Sequence, residues 1–172
     1  MHILVVGGNG FIGTHLCKEL KKNNYVVSVL DRNIFNSKHN FCDYYIEDDI
    51  RNLKPQWFDK VDCVFDYAGI SNDPTGNISP ELTFEINDIA RSDLALLAKN
   101  VKIKNYIFAS SCSVYGSGSS NDLLSEQSET DPLTPYAISA LNVEEKLRKL
   151  SSDNFRCTIL RHGTVFGFSE KK

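Results

Sequence analysis

A doubly wound α/β fold built on one parallel sheet is the architecture that this sequence predicts, and three observations carry it. Short β-branched runs alternate with longer amphipathic stretches from end to end; the first run leads directly into glycines at 7, 10 and 13; and the second run ends on an acid, Asp31. The first strand is expected at about 2–6, His2-Ile3-Leu4-Val5-Val6, followed by a helix at 11–22 whose Phe11, Ile12, Leu16 and Leu20 form its apolar side. Further strands are expected at about 26–30, 44–46, 61–67, 105–110 and 156–160, with a helical turn around 52–58 and helices near 80–100 and 135–151. The Ser/Gly-rich stretch from Gly116 to Asn121, continuing to Pro132, is expected to be a surface loop beside a strand end. Thr134 then fits the N-cap of the last helix and Pro135 its first turn.

Length and composition narrow the class. With 172 residues, 41% hydrophobic and 24% charged, the chain fits one domain with one core. No stretch reaches the ~20 apolar residues that span a bilayer, and the N-terminus enters a strand without a basic leader region, so a cytoplasmic protein away from membranes is expected. Nineteen basic against 22 acidic residues give a net charge of −3, with the lysines scattered, and nucleic acid is not an expected partner. The five cysteines show no CxxC and no histidine at zinc-ligand spacing; reduced, mostly buried thiols and no metal site are expected.

The glycine spacing gains its meaning from context, since it follows an apolar strand and opens a helix. Gly7 turns the chain, Gly10 lets the backbone approach a pyrophosphate, and Gly13 lets the helix pack closely on the strand. The helix start adds amide donors and a positive dipole for phosphates. Gly7, Asn9, Gly10, Phe11, Ile12 and Gly13 are therefore candidate cofactor contacts in a Rossmann domain with strand order 3-2-1-4-5-6. Asp31 stands where an acid meets adenosine ribose hydroxyls and repels a 2′-phosphate, which favours NAD over NADP; the Arg32 guanidinium beside it is the one feature that argues the other way, since it would help to hold that phosphate.

Together with further motifs in order, the chain resembles the extended short-chain dehydrogenase/reductase family, specifically its NAD-dependent nucleotide-sugar epimerases and dehydratases. The motifs are Asp48-Asp49-Ile50, Asp66-Tyr67-Ala68-Gly69, Asn87, the run from Phe108 to Gly116 that contains Ser110-Ser111-Cys112-Ser113-Val114-Tyr115, and Tyr136. The resemblance implies that Asp49 and Ile50 meet the adenine and that Tyr67, Ala68 and Gly69 lie beside the cofactor's phosphates and ribose. Ile50 also fits a core position, and Tyr67 to Gly69 the end of a strand, with the cofactor reading the favoured one for the group. It implies that Asn87 lies near the active site with the cofactor, that Ser111 is the catalytic hydroxyl, with Ser110 and Ser113 weaker candidates, and that Tyr136 is both a cofactor contact and the catalytic tyrosine. A tyrosine whose ordinary pKa is near 10 needs a neighbouring cation for that role.

Two features depart from the family pattern. The family places a lysine four residues after the tyrosine, on the same helix face, whereas this chain has Ala140; Lys146 and Lys149 lie further along. The segment Leu160-Arg161-His162-Gly163-Thr164-Val165-Phe166-Gly167 matches the family's sixth strand, but relatives continue beyond it into a substrate region that is expected to be absent here, and Thr164 stands where many carry asparagine. Residues 1–172 are thus read as the NAD-binding part of such an enzyme, truncated relative to the family, with activity impaired and nucleotide-sugar binding weak. The alternative is a catalytically silent NAD-binding or interaction domain. The resemblance also implies a homodimer through the helices at 80–100 and 135–151, where Leu141, Leu147 and Leu150 fit either core or interface.

Overall fold

A computed structural model describes residues 1–34, 36, 38–117 and 123–169. Its six strands are β1 (His2–Val6), β2 (Val26–Asp31), β3 (Tyr44–Glu47), β4 (Cys63–Asp66), β5 (Asn105–Ser111) and β6 (Arg156–His162). They form one parallel sheet in the order β3-β2-β1-β4-β5-β6, as the sequence predicts. The reversal of strand order lies between β1 and β4, and there the carboxyl ends of the strands open into a crevice.

The central strands are apolar on both faces because both are covered. Ile3 and Val5 pack with Val27, Val29 and Cys17 of helix α1 (Phe11–Lys22) on one face. Leu4 and Val6 pack on the other face with Val64, Tyr106 and Phe108 and with residues of the later helices, among them Leu94, Val143 and Leu147. Burial of this kind contributes roughly 1.5–3 kcal/mol for each large side chain.

The expected helix at 80–100 is present and carries a wide π turn (Glu85–Ala90) between α3 (Pro80–Phe84) and α4 (Arg91–Asn100). The physical reason is visible at Asn87, whose amide is engaged with the backbone of Ile70 from inside the wide turn. The expected turn around 52–58 is two short 3₁₀ turns, Ile50–Asn52 and Pro55–Phe58, because Pro55 holds Lys54 in an extended conformation between them. A one-turn helix, α2 (Asp73–Gly76), and a 3₁₀ turn, Cys112–Tyr115, were not anticipated. The last helix, α5 (Pro135–Leu150), starts where expected, with Thr134 Oγ1 accepting the Ala137 N–H at 3.1 Å. The Ser/Gly-rich stretch lies partly outside the described residues, at 118–122.

Leu147 is a core residue and Leu150 packs against the core, whereas Leu141 is half-buried. The five cysteines are unpaired, with Cys17 and Cys63 buried and their thiols pushed up by burial to about 12 and about 11. Cys112 is a correction to the expectation of mostly buried thiols: it is exposed, because it sits on the turn that leaves β5 at the mouth of the crevice. Among the described residues no helix is long and apolar enough to cross a membrane.

Candidate functional site

Two adjoining cavities of about 500 and about 450 Å³ share Gly7, Gly10, Phe11 and the stretch Tyr67 to Ser71, and together form one groove across the carboxyl ends of the strands. One half is lined by Asp31, Asp49 and Ile50, the other by Ser111, Tyr136 and His162. The structure thus brings the residues expected from the glycine loop, β2, β4, β5 and α5 into a single concave surface.

The glycine loop is shaped by contacts that exclude larger residues. Gly7 has φ +72°, donates to Leu30 O at 2.8 Å, and a Cβ there would lie 2.6 Å from Tyr67 O. A Cβ on Gly13 would lie 2.4 Å from Gly7 O, so the helix starts against the loop with no space between them. Gly10 caps α1 without a side chain, and Phe11, Ile12 and Gly13 in the first turn line the groove. Amides of a first helical turn have no intrahelical acceptor.

Asp31 ends β2 with each carboxylate oxygen accepting one backbone N–H at 2.9 Å, from Asn9 and from Asn33. Asn9 is buried, and its side chain donates to Asn33 Oδ1 at 3.2 Å, so these residues stitch the glycine loop to the segment after β2. Asp49 caps the turn at Ile50 and binds two guanidinium groups, Arg51 at 2.8 Å and Arg32 at 3.0 Å. The Arg51 hydrogen bond first, and then those of its backbone and Arg32, hold the Asp49 carboxyl well below the usual carboxylate range, against the opposing effect of burial. Arg32 therefore has a partner in the protein itself. Ile50 is buried with the core and also lines the groove.

Asn87 lies beneath the groove rather than on its surface. It is buried, its Oδ1 accepts the Ile70 N–H at 2.8 Å, and its Nδ2 donates to Ile70 O at 2.8 Å. A Cβ on Gly69 would meet Asn87 Oδ1 at 2.8 Å, which explains a glycine at that point. Asn87 thus shapes the wall that Tyr67 to Ile70 form.

Ser111 is the last residue of β5, and its Oγ donates to Ser113 Oγ at 3.2 Å while accepting the Ser113 N–H at 3.1 Å. Ser110 points the other way, donating to buried Glu144 at 2.6 Å. Tyr136, the second residue of α5, stands half-buried on the groove, and Gly76 packs against its Cβ. Ala140, one turn later, is buried. Lys146 is engaged with Asp88 at 2.6 Å, and Lys149 is exposed. At the far rim Tyr67 Oη and His162 Nε2 are 3.2 Å apart; burial pushes the phenol up and the imidazole down.

Two buried charge clusters support this surface. Arg91 donates to Asp66 Oδ2 at 2.9 Å, to Asp66 O at 2.9 Å and to Ala109 O at 3.1 Å, with Tyr106 Oη donating to the same Asp66 oxygen at 3.0 Å. Glu144 is fully buried beneath β5 and β6 and accepts from Ser110, Arg148 and Arg161. Burial pushes its carboxyl up, but Arg161 and Ser110, helped by the Arg148 charge, more than offset this and leave it lowered. None of this was predicted. Arg161 is visible in the sequence only as part of a motif, and the spacing of Asp66, Arg91 and Glu144 along the chain gives no sign that they meet charge partners in the interior.

The match to known proteins covers nearly the whole chain. Residues 3–172 fit the model of the NAD dependent epimerase/dehydratase family. The chain is 28% identical to a UDP-glucose 4-epimerase of Lactobacillus helveticus, over 98% of its own length and 53% of that protein. It is 32% identical to a putative UDP-glucose 4-epimerase of Methanocaldococcus jannaschii, over 96% and 56%. Among solved structures, UDP-glucuronic acid 4-epimerase from Bacillus cereus in complex with NAD matches with a TM-score of 0.86 at 27% identity, covering 99% of this chain and 58% of that one. UDP-glucose 4-epimerase from Thermotoga maritima with UDP-glucose gives 0.84 at 26%, covering 94% and 55%. The chain therefore spans about half the length of the curated relatives it matches. On the strength of its sheet order, its glycine loop and this match, the chain belongs to the NAD dependent epimerase/dehydratase family.

Proposed function

We propose that the groove binds NAD and that the protein takes part in the transient oxidation of a nucleotide-sugar hydroxyl, as an epimerase or dehydratase does. The observation that carries the reading is the cradle at Gly7 and Gly13, where any Cβ would strike backbone, set at the open start of α1. That space and those first-turn amides fit a pyrophosphate. Gly7, Asn9, Gly10, Phe11, Ile12 and Gly13 would hold the phosphates, Asp31 the adenosine ribose, Asp49 and Ile50 the adenine side, and Tyr67, Ala68, Gly69 and Tyr136 the remainder, with Asn87 keeping the wall in place. NAD supplies a hydride acceptor when bound. Because Arg32 is tied to Asp49, the groove favours a cofactor without a 2′-phosphate.

Ser111 and Tyr136 then face the reacting sugar, where one orients its hydroxyl and the other exchanges a proton with it. The test is calorimetric titration of the protein with NAD and NADP, followed by incubation with NAD and a panel of nucleotide sugars while the epimer or dehydrated product is assayed. Failure to bind NAD, or tighter binding of NADP, would sink the cofactor reading. Bound NAD with no product would favour the second reading, a silent NAD-binding or interaction domain, for which Ala140 is the specific observation. An alanine cannot supply the cation that a phenol needs to give up its proton at neutral pH. Accordingly, Ala140→Lys is expected to raise turnover at least tenfold, read as product formed at saturating NAD, with the unfolding midpoint measured alongside. Unchanged turnover in a folded variant would place the limit elsewhere.

The same reading extends to assembly. The helices expected to pair two copies leave Leu82, Ile89 and Leu96 exposed. A homodimer is expected in sedimentation velocity, and Ile89→Glu with Leu96→Glu is expected to convert it to a monomer; a monomeric wild type would end this proposal.

A further inference from the structure

Asp73 is a groove-lining carboxylate with no place in the site derived so far. It opens the one-turn helix α2, and its two oxygens join two different elements: Oδ2 accepts from Ser113 Oγ at 3.2 Å, on the turn after β5, and Oδ1 accepts from Thr134 Oγ1, the cap of α5. Ser113 lies two residues beyond Ser111, and Thr134 two residues before Tyr136. One carboxylate thus spans the two elements that carry the candidate serine and tyrosine.

A carboxylate only accepts, so it fixes the direction of every hydroxyl attached to it. Thr134 Oγ1 receives the Ala137 N–H as helix cap and spends its one proton on Asp73. Ser113 spends its one proton on Asp73 and can therefore only receive from Ser111. Ser111, which lines the groove, spends its proton on Ser113 and receives the Ser113 N–H, which leaves one lone pair unused. In this chain Ser111 is set as an acceptor, the polarity that receives a hydrogen bond from a sugar hydroxyl.

We propose that Asp73 is a positioning residue which, through Ser113 and Thr134, holds Ser111 as an acceptor toward the substrate and anchors the first turn of α5 that carries Tyr136. The inference rests on the reading that Ser111 and Tyr136 face a nucleotide sugar. An asparagine at 73 replaces one of the two acceptor oxygens by an NH₂ group, which only donates. Its carbonyl serves Thr134, its NH₂ donates to Ser113, the Ser113 proton turns to Ser111, and the Ser111 proton turns into the groove. Asp73→Asn therefore reverses the polarity of Ser111 with almost no change of shape.

The test measures binding of UDP-glucose and of its 4-deoxy-4-fluoro analogue, whose fluorine accepts but cannot donate, in the presence of NAD. The wild type is expected to prefer the hydroxyl about tenfold, the usual scale of one hydrogen bond. Asp73→Asn is expected to lose or reverse that preference with NAD affinity and unfolding midpoint unchanged, an outcome that a purely structural role would not give. The same preference in both proteins overturns the proposal. If the wild type binds neither sugar, the sugar reading of the groove fails, and Asp73 is then judged in the ligand-free protein by amide hydrogen exchange. There Asp73→Ala is expected to speed exchange at Ala137 about tenfold and Asp73→Asn to leave it slow, because asparagine still accepts from Thr134. Equal exchange in all three proteins overturns the anchoring role and the proposal with it.

Discussion

Arg91→Ala is expected to destabilise the protein by about 3–5 kcal/mol, read as a fall in the urea midpoint with little change in slope. Asp66 and Arg91 form a buried ion pair at 2.9 Å, with side chains 0% and 6% exposed. The guanidinium also satisfies Asp66 O and Ala109 O and lies 4.2 Å over the Phe108 ring, so truncation removes charge, hydrogen bonds and packing together. Among the described residues Asp66 would keep only the Tyr106 hydroxyl and the Ala68 N–H, too few to compensate a carboxylate out of water. Removing both charges, as Asp66→Leu with Arg91→Met, is expected to recover most of the loss, since the cost comes from the orphaned charge rather than from the absence of the pair. A single-variant loss below about 1 kcal/mol would show that water reaches Asp66.

The second large effect is on the cofactor. Gly13→Ala is expected to weaken NAD binding at least a hundredfold, about 2.7 kcal/mol, in calorimetric titration. The added Cβ would fall 2.4 Å from Gly7 O and 2.7 Å from Gly8 Cα, both backbone atoms, so α1 must move away from the loop that it closes. Gly10→Ala is the informative control. Its Cβ would meet only Gly7 O, at 3.2 Å, a contact relieved by a shift of a few tenths of an ångström, and its effect is expected to be much smaller. Equal losses in both variants would mean that the groove's affinity does not depend on how closely α1 packs against the strand.

Much of the architecture was legible because it follows from local chemistry. Apolar runs of strand length, amphipathic stretches between them and a capped start at Thr134 are properties of neighbouring residues, and the six strands and α5 lie where these place them. The glycine loop was legible for the same reason: Gly7, Gly10 and Gly13 act within a single turn. The π turn inside the helix at 80–100 was not legible, because Asn87 within it answers to Ile70, 17 residues away. The charge clusters were missed on the same account, as Arg91 meets Asp66 across 25 residues and Ser110 meets Glu144 across 34.

By itself the sequence determined the doubly wound sheet, the glycine loop at the start of α1, and the alanine four residues after Tyr136, since each is written in residues close together along the chain. Only the tertiary structure decided that Arg32 is held by Asp49, that Asn87 supports the wall from below, and that Asp73 joins Ser113 to Thr134 and so sets the direction of the Ser111 hydroxyl. A hydrogen bond between residues 40 or 61 positions apart has no periodicity and no local propensity; it exists because the parallel sheet brings the carboxyl ends of its strands to one edge.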